Sequence, residues 1–408
     1  MHLTRRQIYR RRRIAALSVL TVVLIAIIYG FSTGLAPLPA NAAQVAPPVT
    51  LTQPAATPEW PGYGTSAIGA VGFDGVLASE GDASPVPIAS IAKTITALVI
   101  LQAKPLGVGE AGPDITFTED DIDIYYETIA ENGSSAPVSV GMVLSQREAL
   151  EAMLLPSANN YAKSLAIWAY GSEDAYLAAA ASWLSDHGLT GTTVVDTSGL
   201  SAQSVSTPSD LVEIGKLVKS SPVVAEIVAM KTATLPTIGE VTNTNKMLGI
   251  NGVNGIKTGT TDEAGACLLF SADITVGTKT VTLVGFVLGG ETHSELNESI
   301  SELIDSVKTG FQEVQLTEQG VSFATYTAEW GQSAHAVTAE AASTLVWSDT
   351  PISGSPTVKE ITTGDAGESV GSVDFVIGTQ TVTVPLVLDS EVSDPGFGWR
   401  LTHPTKLG

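Results

Sequence analysis

The chain has 408 residues, a formal net charge of −22 and a 44% share of hydrophobic residues, enough for two folded units and too apolar for wholesale disorder. One cysteine, Cys267, excludes an internal disulfide framework; the five histidines (His2, His187, His293, His335, His403) lack metal-ligand spacing, so no zinc site and no cofactor is expected. Six of the 20 basic residues and none of the 42 acidic ones precede Ile14, leaving −28 on the remainder, a surface that repels nucleic acid and anionic headgroups.

Residues 1–13 hold Arg5, Arg6 and Arg10 to Arg13 and read as a cytoplasmic basic tail. Ile14 to Phe31 is an apolar run of 18 residues. As a helix it rises about 27 Å, close to the hydrocarbon thickness of a bilayer. Arginines before it and their scarcity after it place the N-terminus inside and the rest outside. Ala40-Asn41-Ala42 supports a rival reading, signal-peptide cleavage and secretion, but it lies far beyond an apolar run that is itself long for a signal core. The expectation is an uncleaved, single-pass anchor in the cytoplasmic membrane at 14–31.

Residues 32–62, rich in Pro and Ala, read as a semi-extended linker. A mixed α/β (α+β) domain is expected over 63–313. It begins with a strand near Ser66 to Val71 and a turn at Phe73-Asp74-Gly75. A largely buried helix follows over Ser90 to Gln102, then a longer helical region over Val138 to Leu189 that Pro156 interrupts. Cys267 to Asp273 and Lys279 to Leu288 form a hairpin, and Ser294 to Thr309 an amphipathic helix ending at Gly310. Residues 314–408, strand-like runs between Gly/Pro/Ser turns, read as a separate all-β domain.

Three short motifs carry chemistry. Ser90-Ile91-Ala92-Lys93 puts a hydroxyl and an amine on one helical face; of the twelve lysines only Lys93 has a serine three positions before it. Such a serine can be a nucleophile, with the lysine as base if burial and a second cation keep it neutral. Ser157-Ala158-Asn159 adds a hydroxyl for proton relay and an amide able to hold a peptide carbonyl, although such residues after a proline are also ordinary turn formers. Lys257-Thr258-Gly259-Thr260 presents a cation, hydroxyls and a small residue through which substrate could approach the backbone. A second Lys-Thr-Gly, Lys308-Thr309-Gly310, ends the amphipathic helix and needs no role beyond capping.

Taken in order, Pro87-Ile88-Ala89-Ser90-Ile91-Ala92-Lys93, Leu155-Pro156-Ser157-Ala158-Asn159-Asn160, Thr197-Ser198-Gly199-Leu200, Thr242-Asn243-Thr244-Asn245 and Gly255-Ile256-Lys257-Thr258-Gly259-Thr260 resemble the low-molecular-mass D-alanyl-D-alanine carboxypeptidases, serine peptidase family S11. The resemblance implies a serine β-lactamase/DD-peptidase-like fold, an antiparallel sheet flanked by helices with a helical subdomain, plus a C-terminal all-β domain. It also implies that Ser90 is acylated, Lys93 is its base and Ser157 shuttles the proton. Asn159 would bind the substrate backbone, and Lys257 and Thr258 its terminal carboxylate beside Gly259. The N–H groups of Ser90 and Thr260 would form the oxyanion hole. Peptidoglycan stem peptides would be substrates and β-lactam antibiotics inhibitors.

The sequence departs from that pattern in three places. Asn160 stands where the family often has Asp. The segment Glu291-Thr292-His293-Ser294-Glu295-Leu296-Asn297 lacks the arginine that relatives commonly place there for the carboxylate; beyond the N-terminal block only Arg147, expected to be exposed, and Arg400 remain. The C-terminus is polar, where many relatives carry an amphipathic anchor. A serine β-lactamase is the nearest rival, disfavoured because no Glu-x-x-Leu-Asn string is present. A DD-endopeptidase or transpeptidase shares the bond type, and a non-catalytic cell-wall-binding relative would not need the Ser90–Lys93 pair.

Overall fold

A computed structural model describes residues 4–408 and divides the chain into two compact units. Ala55–Gln312 forms one, while the segment ending at Pro54 joins Glu313–Gly408 in the other.

The first unit is built on a five-stranded antiparallel sheet, in the order Val253–Thr261, Gly265–Val276, Lys279–Gly290, Thr65–Ala70 and Ala78–Glu80. The expected hairpin is its centre, longer at both ends than the apolar runs alone indicate. All six residues of Thr65–Ala70 are buried, because that inner strand is covered by the Pro208–Ser220 helix. The amphipathic helix runs over His293–Lys308 and buries Leu296, Ile300, Leu303, Ile304 and Val307 at the expected spacing. The Ser90 helix begins as a tight turn, Ala89–Ile91, before Ala92–Ala103.

Where one interrupted helical region was expected over 138–189, there are three helices, Gln146–Leu154, Asn159–Tyr170 and Glu173–Asp186. Residues 138–145 are not helical: Val143–Ser145 pairs with Asp114–Thr116, and Ser145 starts the helix by accepting from Glu148 N while Glu148 answers to Ser145 N. Pro156 makes the first break, and Gly171, at φ 86°, the second. A further helix, Glu119–Ala130, packs on Asn159–Tyr170.

The second unit is a seven-stranded antiparallel sheet over a core that includes Phe323, Tyr326, Phe375 and Leu386. Its two edges come from the segment expected to be a linker. Gln44–Val45 pairs with Ser322–Thr327, and Val49–Leu51 pairs with Ile352–Val358. That segment is therefore structural over 44–51, although Pro47 and Pro48, which cannot donate to a ladder, separate the two short strands. The helix Arg5–Gly34, with a mean hydropathy of 2.6 in its most apolar window, is long and apolar enough to cross a membrane.

Candidate active site

Ser90 sits where the turn Ala89–Ile91 meets the strand Val253–Thr261. A Cβ at Gly259 would lie 2.9 Å from the Ala89 Cβ and 3.0 Å from the Ser90 nitrogen. Only a residue without a side chain lets the strand run this close to the Ser90 backbone. Gly199, at φ +78°, makes the matching approach from the other side, against the Ala89 carbonyl. Ala89 (φ 46°) and Ser157 (φ 65°) also occupy the left-handed region, which costs roughly 1–2 kcal/mol for a residue with a Cβ. Both flank the nucleophile position, where strain is held by the surrounding packing.

Lys93 is fully buried, and its Nζ donates to Ser90 Oγ at 2.8 Å and to the Ser198 carbonyl at 3.1 Å. Burial, with the nearby Lys257 charge adding to it, drives the Lys93 amine well below the ordinary lysine range. Lys257 is buried too; its Nζ donates to the Thr258 carbonyl at 3.1 Å, and burial lowers it to about 7. Burial holds both amines low, and the Lys257 charge lowers Lys93 further, which favours the neutral amine a base requires. Cys267, beside Lys257, is pushed up by burial to about 12 and stays a thiol.

The loop carrying the Ser198 carbonyl is organised by Asp196. Its carboxylate accepts from the backbone N–H groups of Ser198 (2.6 Å), Ser201 (2.8 Å) and Gly199, and from Ser204 Oγ at 3.2 Å. Nothing in the motifs singled Asp196 out, although an acid just before Thr-Ser-Gly is a recognisable turn signal.

Ser90, Ser157, Thr258, Gly259 and Thr260 line one open cavity of about 390 Å³, together with Ser134, Thr244, Lys246 and His293. Lys93 and Lys257 are buried and are not part of that lining. Asn159 is not in that lining; it faces a neighbouring cavity with Asp196 and Ser198, and its backbone N–H bonds the Ser134 carbonyl at 2.7 Å. Its Oδ1 is buried with no hydrogen-bond partner in the protein. Asn160 exchanges two hydrogen bonds with the Ala136 backbone (3.0 and 3.1 Å), so the departure from Asp is absorbed structurally.

His293 and Thr244 were missed. His293 opens the helix after the last sheet strand, and its Nε2 lies 2.8 Å from Thr260 Oγ1. Burial and the Lys257 charge lower its pKa. Thr244 Oγ1 shares a 2.5 Å hydrogen bond with Thr258 Oγ1. The expectation for Arg147 is corrected: its side chain is 16% exposed and pairs with Glu151 at 3.0 Å and Glu226 at 2.8 Å. The helix Pro222–Ala229 brings Glu226 over it, and none of the three lines the cavity.

A Ser-x-x-Lys pair facing a Lys-Thr-Gly strand defines the class of serine enzymes to which the β-lactamases and penicillin-binding proteins belong. The profile described as D-alanyl-D-alanine carboxypeptidase matches residues 73–292, and the chain belongs to that family. It is 32% identical over 207 residues to a D-alanyl-D-alanine endopeptidase of Pseudomonas aeruginosa, covering 49% of this chain and 63% of that one. It is 29% identical over 249 residues to a D-alanyl-D-alanine carboxypeptidase of Escherichia coli, covering 60% of each. The matches thus span under two thirds of these relatives. In fold it resembles a peptidoglycan synthesis regulatory factor of Streptococcus pneumoniae (TM-score 0.58, 23% identity, 83% of this chain and all of that one).

Proposed function

We propose that this protein is a membrane-tethered serine D-Ala-D-Ala carboxypeptidase that removes the terminal D-alanine of peptidoglycan stem peptides and is acylated by penicillins. The 2.8 Å contact between a buried, proton-poor Lys93 and Ser90 Oγ carries the reading. Ser90 Oγ attacks the penultimate D-alanine carbonyl while Lys93 takes its proton. Ser157 relays that proton to the departing D-alanine nitrogen, leaving an ester on Ser90. Water, deprotonated by Lys93, then cleaves the ester and restores Ser90. The N–H groups of Ser90 and Thr260 stabilise the oxyanion, each donor contributing about 3 kcal/mol. Asn159 holds the peptide backbone.

A free carboxylate entering the cavity must exchange water for fixed donors. Thr258, braced by Thr244, and His293, which lies in the segment lacking the family arginine and is braced by Thr260, both line the cavity, and the Lys257 charge is felt at His293. Thr258→Val is expected to lower kcat/KM for the free-acid peptide about ten- to a hundredfold, the value of a hydrogen bond to a charged group. Its effect on the C-terminal amide should be much smaller. Arg147→Ala should lower thermal stability, by stranding buried Glu151, yet keep the acid-over-amide preference. Loss of that preference in Arg147→Ala but not in Thr258→Val contradicts this carboxylate site.

The tether is Ile14–Phe31, retained in the mature protein. Asn41, in the only candidate cleavage motif singled out, is 5% exposed and bridged to Ile361 in the β-rich unit, which supports retention. Washed membranes should yield protein with the arginine-rich N-terminus intact; a soluble chain beginning near Ala43 contradicts the tether.

A further inference from the structure

Within the β-rich unit, the C-terminal segment is latched to the outer end of the apolar helix. Tyr29, two residues before the end of the apolar run, donates its hydroxyl proton to the Leu401 carbonyl at 2.9 Å. The Phe397 ring lies directly against Gly34, where any side chain would collide with it. Just past the helix, Arg400 Nε donates to the Ala36 carbonyl at 3.1 Å, while its two terminal nitrogens hold Asp394 at 2.6 and 2.7 Å. Gly408 N–H closes on the Pro37 carbonyl at 3.1 Å. The latch continues into the sheet unit: Trp399 stacks on His403 with centroids 4.8 Å apart and meets Trp330 edge-on at 5.7 Å.

The surface left open at this latch is apolar. Phe31 is 66% exposed, Leu35 72% and Phe397 51%. Arg400 and Asp394, at the latch, neutralise each other. Depth follows from the helix rise. If the hydrocarbon ends near Phe31, Gly34 and the ring packed on it lie about 5 Å beyond, in the headgroup layer where aromatic residues concentrate.

We propose that the Gly396–Thr402 helix is an interfacial collar, bedding the β-rich unit in the outer phospholipid headgroup–acyl boundary of the membrane that Ile14–Phe31 crosses. The proposal rests on the tether reading above. The collar joins lipid through Phe397, Leu35 and Phe31 and not through charge, consistent with the acidity of the exported chain. The spanning helix and the β-rich sheet then form one membrane-seated body in place of a domain on a free string.

The test uses the full chain in vesicles of phosphatidylcholine, with and without phosphatidylglycerol, carrying a nitroxide on Gly398→Cys. No atom lies within 4 Å of a Cβ at Gly398, and the native Cys267 is buried and escapes labelling. A label on Gly30→Cys, equally unobstructed, marks the outer edge of the hydrocarbon. The label at 398 should be accessible to oxygen and lose most of its accessibility to a water-soluble nickel chelate, equally in both lipid mixtures and at high salt. Adding Gly34→Leu, which displaces Phe397, should restore chelate access at 398 while protein stays with the vesicles. Full chelate access at 398 with position 30 shielded overturns the collar alone; chelate access at both positions overturns the tether and the collar with it. Spin–spin broadening at 398 would assign the patch to a second copy of the chain, and an unchanged label after Gly34→Leu would refute the latch.

Discussion

Ser90→Ala is expected to abolish D-alanine release and covalent penicillin labelling together, a loss on the order of a millionfold in turnover, as when a serine nucleophile acting as a unit with its base is removed. The reason is geometric. Ser90 Oγ receives the Lys93 amine at 2.8 Å, and Gly259 lets its strand pass close to the Ser90 backbone, where a Cβ would lie 3.0 Å from the Ser90 nitrogen. Ser157, the other motif serine lining the cavity, receives neither of the Lys93 amine's hydrogen bonds, which go to Ser90 and the Ser198 carbonyl, and cannot substitute. The fold should survive the change, since Ser90 is only part-buried and loses one hydroxyl. Labelling that persists at another residue in the Ala variant contradicts the assignment.

Lys93→Met is expected to slow acylation by roughly 10²–10⁴-fold, the usual contribution of a positioned general base. The same change should raise the melting temperature. Lys93 is neutral in the folded site at a pH where the unfolded chain protonates it, so folding must release a proton. That cost is present below the unfolded lysine pKa of about 10.4 and is relieved as pH rises toward it. Wild-type stability should therefore climb through alkaline pH, and the methionine variant should climb less. Lys257, lowered to about 7, adds to the same slope between about 7 and the ordinary lysine value. The variants can be compared by the rate of penicillin acylation and by thermal unfolding across pH. A destabilised Lys93→Met would show that the amine's bonds to Ser90 and Ser198 outweigh its desolvation.

Much of the site was legible because its chemistry is carried by contiguous motifs. Ser90 and Lys93 are three residues apart on one helix, and Thr258, Gly259 and Thr260 follow one another on one strand. What escaped depends on contacts between distant segments. Asp196 matters only because its loop hands the Ser198 carbonyl to Lys93. His293 lies in the segment where the family pattern has an arginine, and only the folded chain sets the helix start beside Thr260. Arg147 looks solvent-facing on its own helix and is covered by Glu226, 79 residues later. The strands Gln44–Val45 and Val49–Leu51 are too short for any periodicity, and prolines between them mimic a linker.

The most direct test of the proposed activity is product analysis with purified full-length protein and a pentapeptide ending in D-Ala-D-Ala. The account predicts one D-alanine and one tetrapeptide per turnover, with release extinguished as one equivalent of penicillin becomes bound to Ser90. Release that continues after Ser90 is fully acylated, or cleavage of cross-linked dimers with none of the pentapeptide, would contradict it.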